Sequence, residues 1–127
     1  ERFPKMNILL AEDDHNISKI ACLALEKMGG HQVEWVSDGK TALEKALSGD
    51  YDVILLDEMM PELNGLRVCE LYQSQSPQPK PVIFLSAKSQ DSDVAAFEKI
   101  GLGFIAKPFD PMTLNASIQS LMEKVAA

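Results

Sequence analysis

Two hydrophobic periods alternate along the chain. Short apolar runs occur at Asn7–Ala11, Gln32–Val36, Asp52–Leu56, Val82–Leu85 and Phe104–Ala106. Runs of this length, bounded by polar and turn-forming residues, read as strands. Between them, apolar residues recur at helical spacing. Ile17, Ile20, Ala21, Ala24 and Met28 mark one face of a helix that ends at Gly29-Gly30. Ala42, Leu43, Ala46 and Leu47 mark a second helix up to Ser48-Gly49-Asp50. Leu66–Ser76 and Ser92–Ile100 read as a third and a fourth, with smeared apolar faces. Leu114, Ile118, Leu121 and Val125 mark a fifth, for which Asp110-Pro111 reads as the N-cap and first helical residue.

Strict strand–helix alternation predicts an α/β fold: a parallel sheet with helices on both faces. Val53-Ile54-Leu55-Leu56 and Val82-Ile83-Phe84-Leu85 are apolar without alternation and read as central strands buried on both sides. In open sheets of this class the functional site lies beyond the carboxyl ends of the strands. The residues just after each apolar run therefore matter most.

Composition narrows the picture. The 127 residues carry 12 Lys and Arg against 19 Asp and Glu, a formal charge of −7. One domain over residues 1–127, with its core at about 7–123, is expected at this length. The acidic balance, with a pI near 4.7, argues against a direct nucleic-acid binder. Two cysteines, Cys22 and Cys69, make no disulfide framework and fit packing roles in a reducing cytoplasm. No run approaches the about 18 apolar residues of a membrane span, and no signal peptide is visible. The first residue is Glu1, which reads as a trimmed chain or a piece of a longer one.

The strand ends carry the chemistry. Glu12, Asp13 and Asp14 follow the first run, Asp57 the third, Ser86 the fourth, and Lys107-Pro108 the fifth. Topology predicts that they converge on one rim. Each alone has an ordinary reading: an acid triplet suits a helix N-terminus, an aspartate suits a turn, and Lys-Pro starts a loop. Each at its own strand end, in this order, points to a shared site. Close carboxylates repel by roughly 4 kcal/mol per pair at an effective dielectric near 20. A hard divalent cation relieves that repulsion, and Mg²⁺ prefers such oxygens. Asp57 can act as a nucleophile toward phosphorus. The Lys107 ammonium and the Ser86 hydroxyl can then stabilise the oxygens of a transferred phosphoryl group.

These residues resemble the receiver domain of bacterial two-component response regulators. The resemblance runs from about Asn7 to Glu123 and rests on Glu12-Asp13, Asp57-x-x-Met60-Pro61-x-x-x-Gly65, Ser86-Ala87 and Lys107-Pro108-Phe109. It implies a flavodoxin-like (βα)5 doubly wound sheet of strand order 2-1-3-4-5. It implies Asp57 as phosphoacceptor, with a sensor histidine kinase or a histidine phosphotransfer protein as donor. Mg²⁺, for which Mn²⁺ would substitute, would be held by Asp13, Asp57 and the Met59 backbone carbonyl, with Glu12 acting through water. Lys107 would pair with the phosphoryl oxygens, Ser86 would move to donate to them, and Phe104 would turn inward as the switch aromatic. A cis bond before Pro108 is also implied. Output would pass through the face of the fourth helix, fifth strand and fifth helix, about residues 92–126, to an output domain, a partner protein or a second copy on phosphorylation. Catalysis would be confined to the domain's own phosphorylation and autodephosphorylation.

Some residues depart from the family's commonest pattern. Phe104 stands where tyrosine or histidine is common and brings no hydroxyl. Met59 and Lys88 occupy positions that tune dephosphorylation, and their length implies slow decay of the aspartyl phosphate. Gly101-Leu102-Gly103 is a short connection into the fifth strand. Other functions compete less well. An aspartate-nucleophile phosphohydrolase would need an acid where Met59 stands. A flavodoxin-type cofactor binder would need a phosphate loop where Glu12-Asp13-Asp14 stands. A docking-only pseudo-receiver is opposed by the complete set of Asp13, Asp57, Ser86 and Lys107. His15 reads as a solvated loop residue, His31 as a turn residue and Trp35 as an edge-strand or core aromatic. Glu58 and Glu62 read as helping to hold the metal or staying solvated.

Overall fold

The computed structural model describes residues 4–87 and 91–126. Its elements follow in order: β1 (Asn7–Ala11), α1 (His15–Leu23) with a π-helical turn (Ala24–Met28), β2 (Gln32–Val36), α2 (Gly39–Ser48), β3 (Val53–Asp57), α3 (Gly65–Gln75), β4 (Val82–Ser86), α4 (Asp91–Ile100), β5 (Gly103–Ala106) and α5 (Leu114–Ala126). The five strands form one parallel sheet in the order β2-β1-β3-β4-β5.

Strand parity sorts the core into two layers. On one face, Leu9, Ala11, Ile54, Leu56, Val82 and Phe84 pack under Ala42 and Ala46 of α2, Val68, Cys69 and Tyr72 of α3, and Phe97 of α4. On the other, Ile8, Leu10, Val53, Leu55, Ile83 and Leu85 pack under Ala21 of α1 and Leu114 and Ile118 of α5. Every residue of β3 and β4 is buried, as their uninterrupted apolar runs require.

β3 and β4 each reach one residue further than the apolar runs predict. Asp57 pairs in register with Leu85, and Ser86 pairs with Ala106. Both polar residues thus stand on the sheet's last rung, where ladder bonds fix their backbones.

Two helix predictions need correction. The expected α1 runs regularly only to Leu23, and its last turn is π-helical. The cause comes from α5: the Asn115 side-chain amide donates to the Ala24 carbonyl at 2.9 Å, and that carbonyl also accepts the Gly29 N–H at 3.2 Å. Widening the turn by one residue opens the carbonyl to the inserted donor. Asp110 does cap a turn, accepting the Met112 N–H at 2.8 Å, but α5 begins only at Leu114. Asp110 closes a separate turn through the Thr113 N–H instead, so Pro111 is not its first helical residue.

Side-chain caps set the other starts. Asp14 accepts from the Asn16 and Ile17 amides, Asp38 from Thr41, and Asn64 from Arg67. At the start of α2 the chain passes very close to the β3–α3 loop. The Gly39 N–H donates to the Pro61 carbonyl at 3.0 Å, and a Cβ on Gly39 would lie 1.9 Å from the Leu63 carbonyl oxygen. Gly39→Ala is therefore expected to cost about 2–3 kcal/mol in urea unfolding. A loss below about 0.5 kcal/mol would show that this contact does not hold the loop.

Candidate functional site

The sheet delivers the predicted residues to one rim. Glu12 follows β1 and its N–H donates to the Val36 carbonyl of β2 at 3.0 Å. Its backbone carbonyl accepts the Trp35 indole N–H at 2.7 Å, so the edge strand fixes this residue from both sides. The Glu12 side chain is fully buried and Asp57 is nearly so, while Asp13 is exposed. Asp14 turns away to cap α1, which separates the acid triplet into two jobs. Lys107 follows β5, with its backbone N–H on the Ser86 carbonyl at 2.8 Å. The Lys107–Pro108 bond is cis. Gly65, at the start of α3, packs against the Asp57 carbonyl, which a Cβ there would approach to 2.5 Å.

Lys107 holds the centre. Its Nζ donates to Glu12 Oε1 and to Asp57 Oδ1, each at 3.0 Å. One oxygen each from Glu12, Asp13 and Asp57 lies within 4.8 Å of the others. Such separations suit a small oxygen-seeking divalent cation, and the acids present are its usual ligands. The cleft above them, about 630 Å³, is also lined by Met59, Ser86 and Ala87.

Among the described residues the charges are not balanced. Burial pushes the Asp57 carboxyl up to about 7, and Glu12 pushes the same way against the bond from Lys107. Burial alone would lower the Lys107 ammonium, but its bonds to Asp57 and Glu12 outweigh that and raise it. One ammonium thus serves two carboxylates, with a third beside them.

Other expectations meet the structure unevenly. Phe104 is half-buried at the end of an aromatic row: Phe84 stacks on Phe97 at 5.0 Å, and Phe97 meets Phe104 at 5.7 Å. The Met59 side chain is 67% exposed. Lys88 lies outside the described residues. His15 begins α1 rather than lying in a loop, and its ring meets Trp35 edge-on at 5.1 Å. His31 is buried, with Nδ1 accepting the Met6 N–H at 3.0 Å. The structure corrects the solvated reading of Glu58. This residue is buried, outside the three-acid group, and its Oε1 accepts from the Ser86 hydroxyl at 3.4 Å. Only its place next to Asp57 hinted at this, and burial is not written in a residue's own charge.

Residues 8–119 match the family described as the response regulator receiver domain. The chain belongs to that family. Among curated relatives, the response regulator ArlR of Staphylococcus saprophyticus is 41% identical over 118 residues, 92% of this chain and 52% of that protein. ArlR of Staphylococcus epidermidis is 37% identical over 119 residues, covering 93% and 53%. The receiver chain thus spans about half the length of these relatives. Among solved structures, the chemotaxis response regulator CheY4 of Vibrio cholerae superposes with a TM-score of 0.84 at 27% identity, over 93% of this chain and 99% of that one. The BeF3-activated DrrB receiver domain gives 0.79 at 27% identity, over 94% and 99%. This receiver domain is a module of two-component signalling, and no described helix is long and apolar enough to cross a membrane.

The raised Asp57 carboxyl carries a stability prediction. The folded state binds its proton more tightly than the unfolded chain, whose aspartate titrates near about 3.9. The contribution of Asp57 to stability therefore falls as pH rises from about 4 to about 7, a cost that Asp57→Asn does not bear. In the absence of divalent cations the variant is expected to be more stable at pH 8, by more than about 1 kcal/mol in urea unfolding, and the gap is expected to shrink below pH 5. A variant less stable than wild type at pH 8 would contradict this charge balance.

Proposed function

We propose that this receiver accepts a phosphoryl group on Asp57 in a Mg²⁺-dependent reaction, from a sensor histidine kinase or a histidine phosphotransfer protein. The single observation that carries the reading is the Lys107 bridge between Asp57 and Glu12, with Asp13 close enough to complete a cation site. An Asp57 carboxylate oxygen attacks phosphorus, the bond from phosphorus to the donor breaks, and the donor leaves with its electron pair. The product is an acyl phosphate. Mg²⁺ bound by Asp13, Asp57 and the Met59 carbonyl, with Glu12 in support, would neutralise the carboxylates and the phosphoryl oxygens. Lys107, already on Asp57 Oδ1, is placed to follow the new charge onto the phosphoryl group. Ser86 donates its hydroxyl hydrogen to a phosphoryl oxygen.

The two-state output follows from that last contact, because only the rearranged Ser86 satisfies the phosphoryl group. Phe104, two residues from the carboxyl end of β5, moves with it and alters the face of α4, β5 and α5. That face meets an output domain, a partner protein or a second copy of the chain. The reaction ends when water releases phosphate from Asp57, a step that the long Met59 side chain shields. The domain turns over no external substrate of its own, and the reading is of a cytoplasmic module. A docking-only receiver has no need of the Lys107 bridge, and a phosphohydrolase would need an acid where this chain has Met59.

Intact mass after incubation with acetyl phosphate tests the proposal. Wild type is expected to gain one phosphoryl group with Mg²⁺ and none without it, and Asp57→Asn to gain none. No gain by folded wild type in Mg²⁺ would overturn the phosphoacceptor reading in favour of docking alone.

A further inference from the structure

A buried carboxylate stands beside the hydroxyl that must reach the phosphoryl group. Glu58 is 8% exposed and Ser86 is 1% exposed. The Ser86 hydroxyl donates to Glu58 Oε1 at 3.4 Å. Glu58 is held there by its backbone: its N–H donates to the Leu85 carbonyl at 3.0 Å, and its carbonyl accepts the Gly65 N–H at 2.9 Å. Its main chain is therefore fixed beside β4 in the first turn after Asp57. Ser86 is fixed in turn by the ladder and by the Lys107 N–H on its carbonyl.

We propose that Glu58 is a positioning residue that holds the Ser86 hydroxyl in the unphosphorylated state and competes with the phosphoryl group for its hydrogen. A serine hydroxyl has one hydrogen to donate. Whatever the carboxylate holds, the phosphoryl oxygen lacks, and the active arrangement must break the Ser86–Glu58 bond. A charged acceptor makes a stronger competitor than a neutral one. At 3.4 Å the bond is long for a hydroxyl donor, so it retains the hydroxyl without locking it. Glu58 thereby sets how far the receiver leans toward its inactive arrangement. This inference rests on the phosphoacceptor reading of Asp57 and deepens it.

The test uses beryllofluoride as the phosphoryl mimic at fixed Mg²⁺, with binding followed by the 19F NMR signal of the bound anion. Glu58→Met keeps the side chain's size and removes the carboxylate. It is expected to tighten the apparent affinity about fivefold. Glu58→Gln keeps an acceptor without the charge, is the variant least disturbing to the fold, and is expected to tighten it about twofold. In a Ser86→Ala background, where no hydroxyl remains to be held, both shifts are expected to vanish. That loss separates retention of the hydroxyl from simple repulsion between Glu58 and the anion. Unchanged affinity in the Glu58 variants, or equal shifts with and without the Ser86 hydroxyl, would overturn the latch while leaving Asp57 as phosphoacceptor. Wild type that binds no beryllofluoride in Mg²⁺ and takes up no phosphoryl group from acetyl phosphate would overturn both.

Discussion

Negative charge gathered at one end of a parallel sheet is the constraint around which this molecule is arranged. Glu12, Asp13 and Asp57 bring three carboxylates within a few ångströms, and two of them belong to buried residues. Water cannot screen these buried groups well, and among the described residues one ammonium, Lys107, is shared between two of them. The cluster is tolerable in this form and is not relaxed. Burial holds the Asp57 carboxyl up at about 7 despite the lysine, which marks a site short of positive charge. A divalent cation supplies that charge, and a phosphoryl group on Asp57 gives Lys107 a new partner. A receiver domain therefore places its least stable electrostatics where its chemistry is proposed to occur, as functional sites commonly do.

The rest of the fold keeps that cluster in place. Parallel strands put the ends of β1, β3, β4 and β5 on the same rim, so residues far apart in sequence meet without any long loop. Two buried layers, sorted by strand parity, clamp the central strands from both faces. The close passages are made at glycine. Gly39 lets α2 touch the β3–α3 loop, and Gly65 lets α3 begin against the Asp57 carbonyl. Trp35 pins the Glu12 carbonyl from the edge strand. The proposed output runs the other way, from Ser86 on the last rung of β4 toward the aromatic row of Phe84, Phe97 and Phe104.

Much of this was legible in the sequence, because the signals were local or periodic. The apolar runs located all five strands, and the residues following them identified the rim that the structure assembles. Most of what was missed came from contacts between distant segments. Asn115 lies 91 residues from Ala24, yet its amide converts the end of α1 into a π turn. No periodicity within α1 contains that information. Asp14 was legible as a helix cap or as a site acid, and only the strand end at Ala11 with the Asn16 and Ile17 amides decides for the cap. Glu58 reads as an acid that helps hold the metal or stays solvated, but the turn from β3 into α3 buries it beside the Ser86 hydroxyl. Asp110 gives a true capping signal, and the turn it caps stops before α5 begins.

If Lys107 stands in for a cation, the two compete for the same carboxylates. Trp35 is the sole tryptophan and donates to the Glu12 carbonyl, so its emission can report a Mg²⁺ titration at the site. The account predicts saturable binding by wild type, at least tenfold weaker binding by Asp13→Asn, and tighter binding by Lys107→Met, in which the competing charge is gone. Equal Mg²⁺ affinity in all three proteins would contradict it, because the ion would then bind without engaging Asp13 or displacing Lys107.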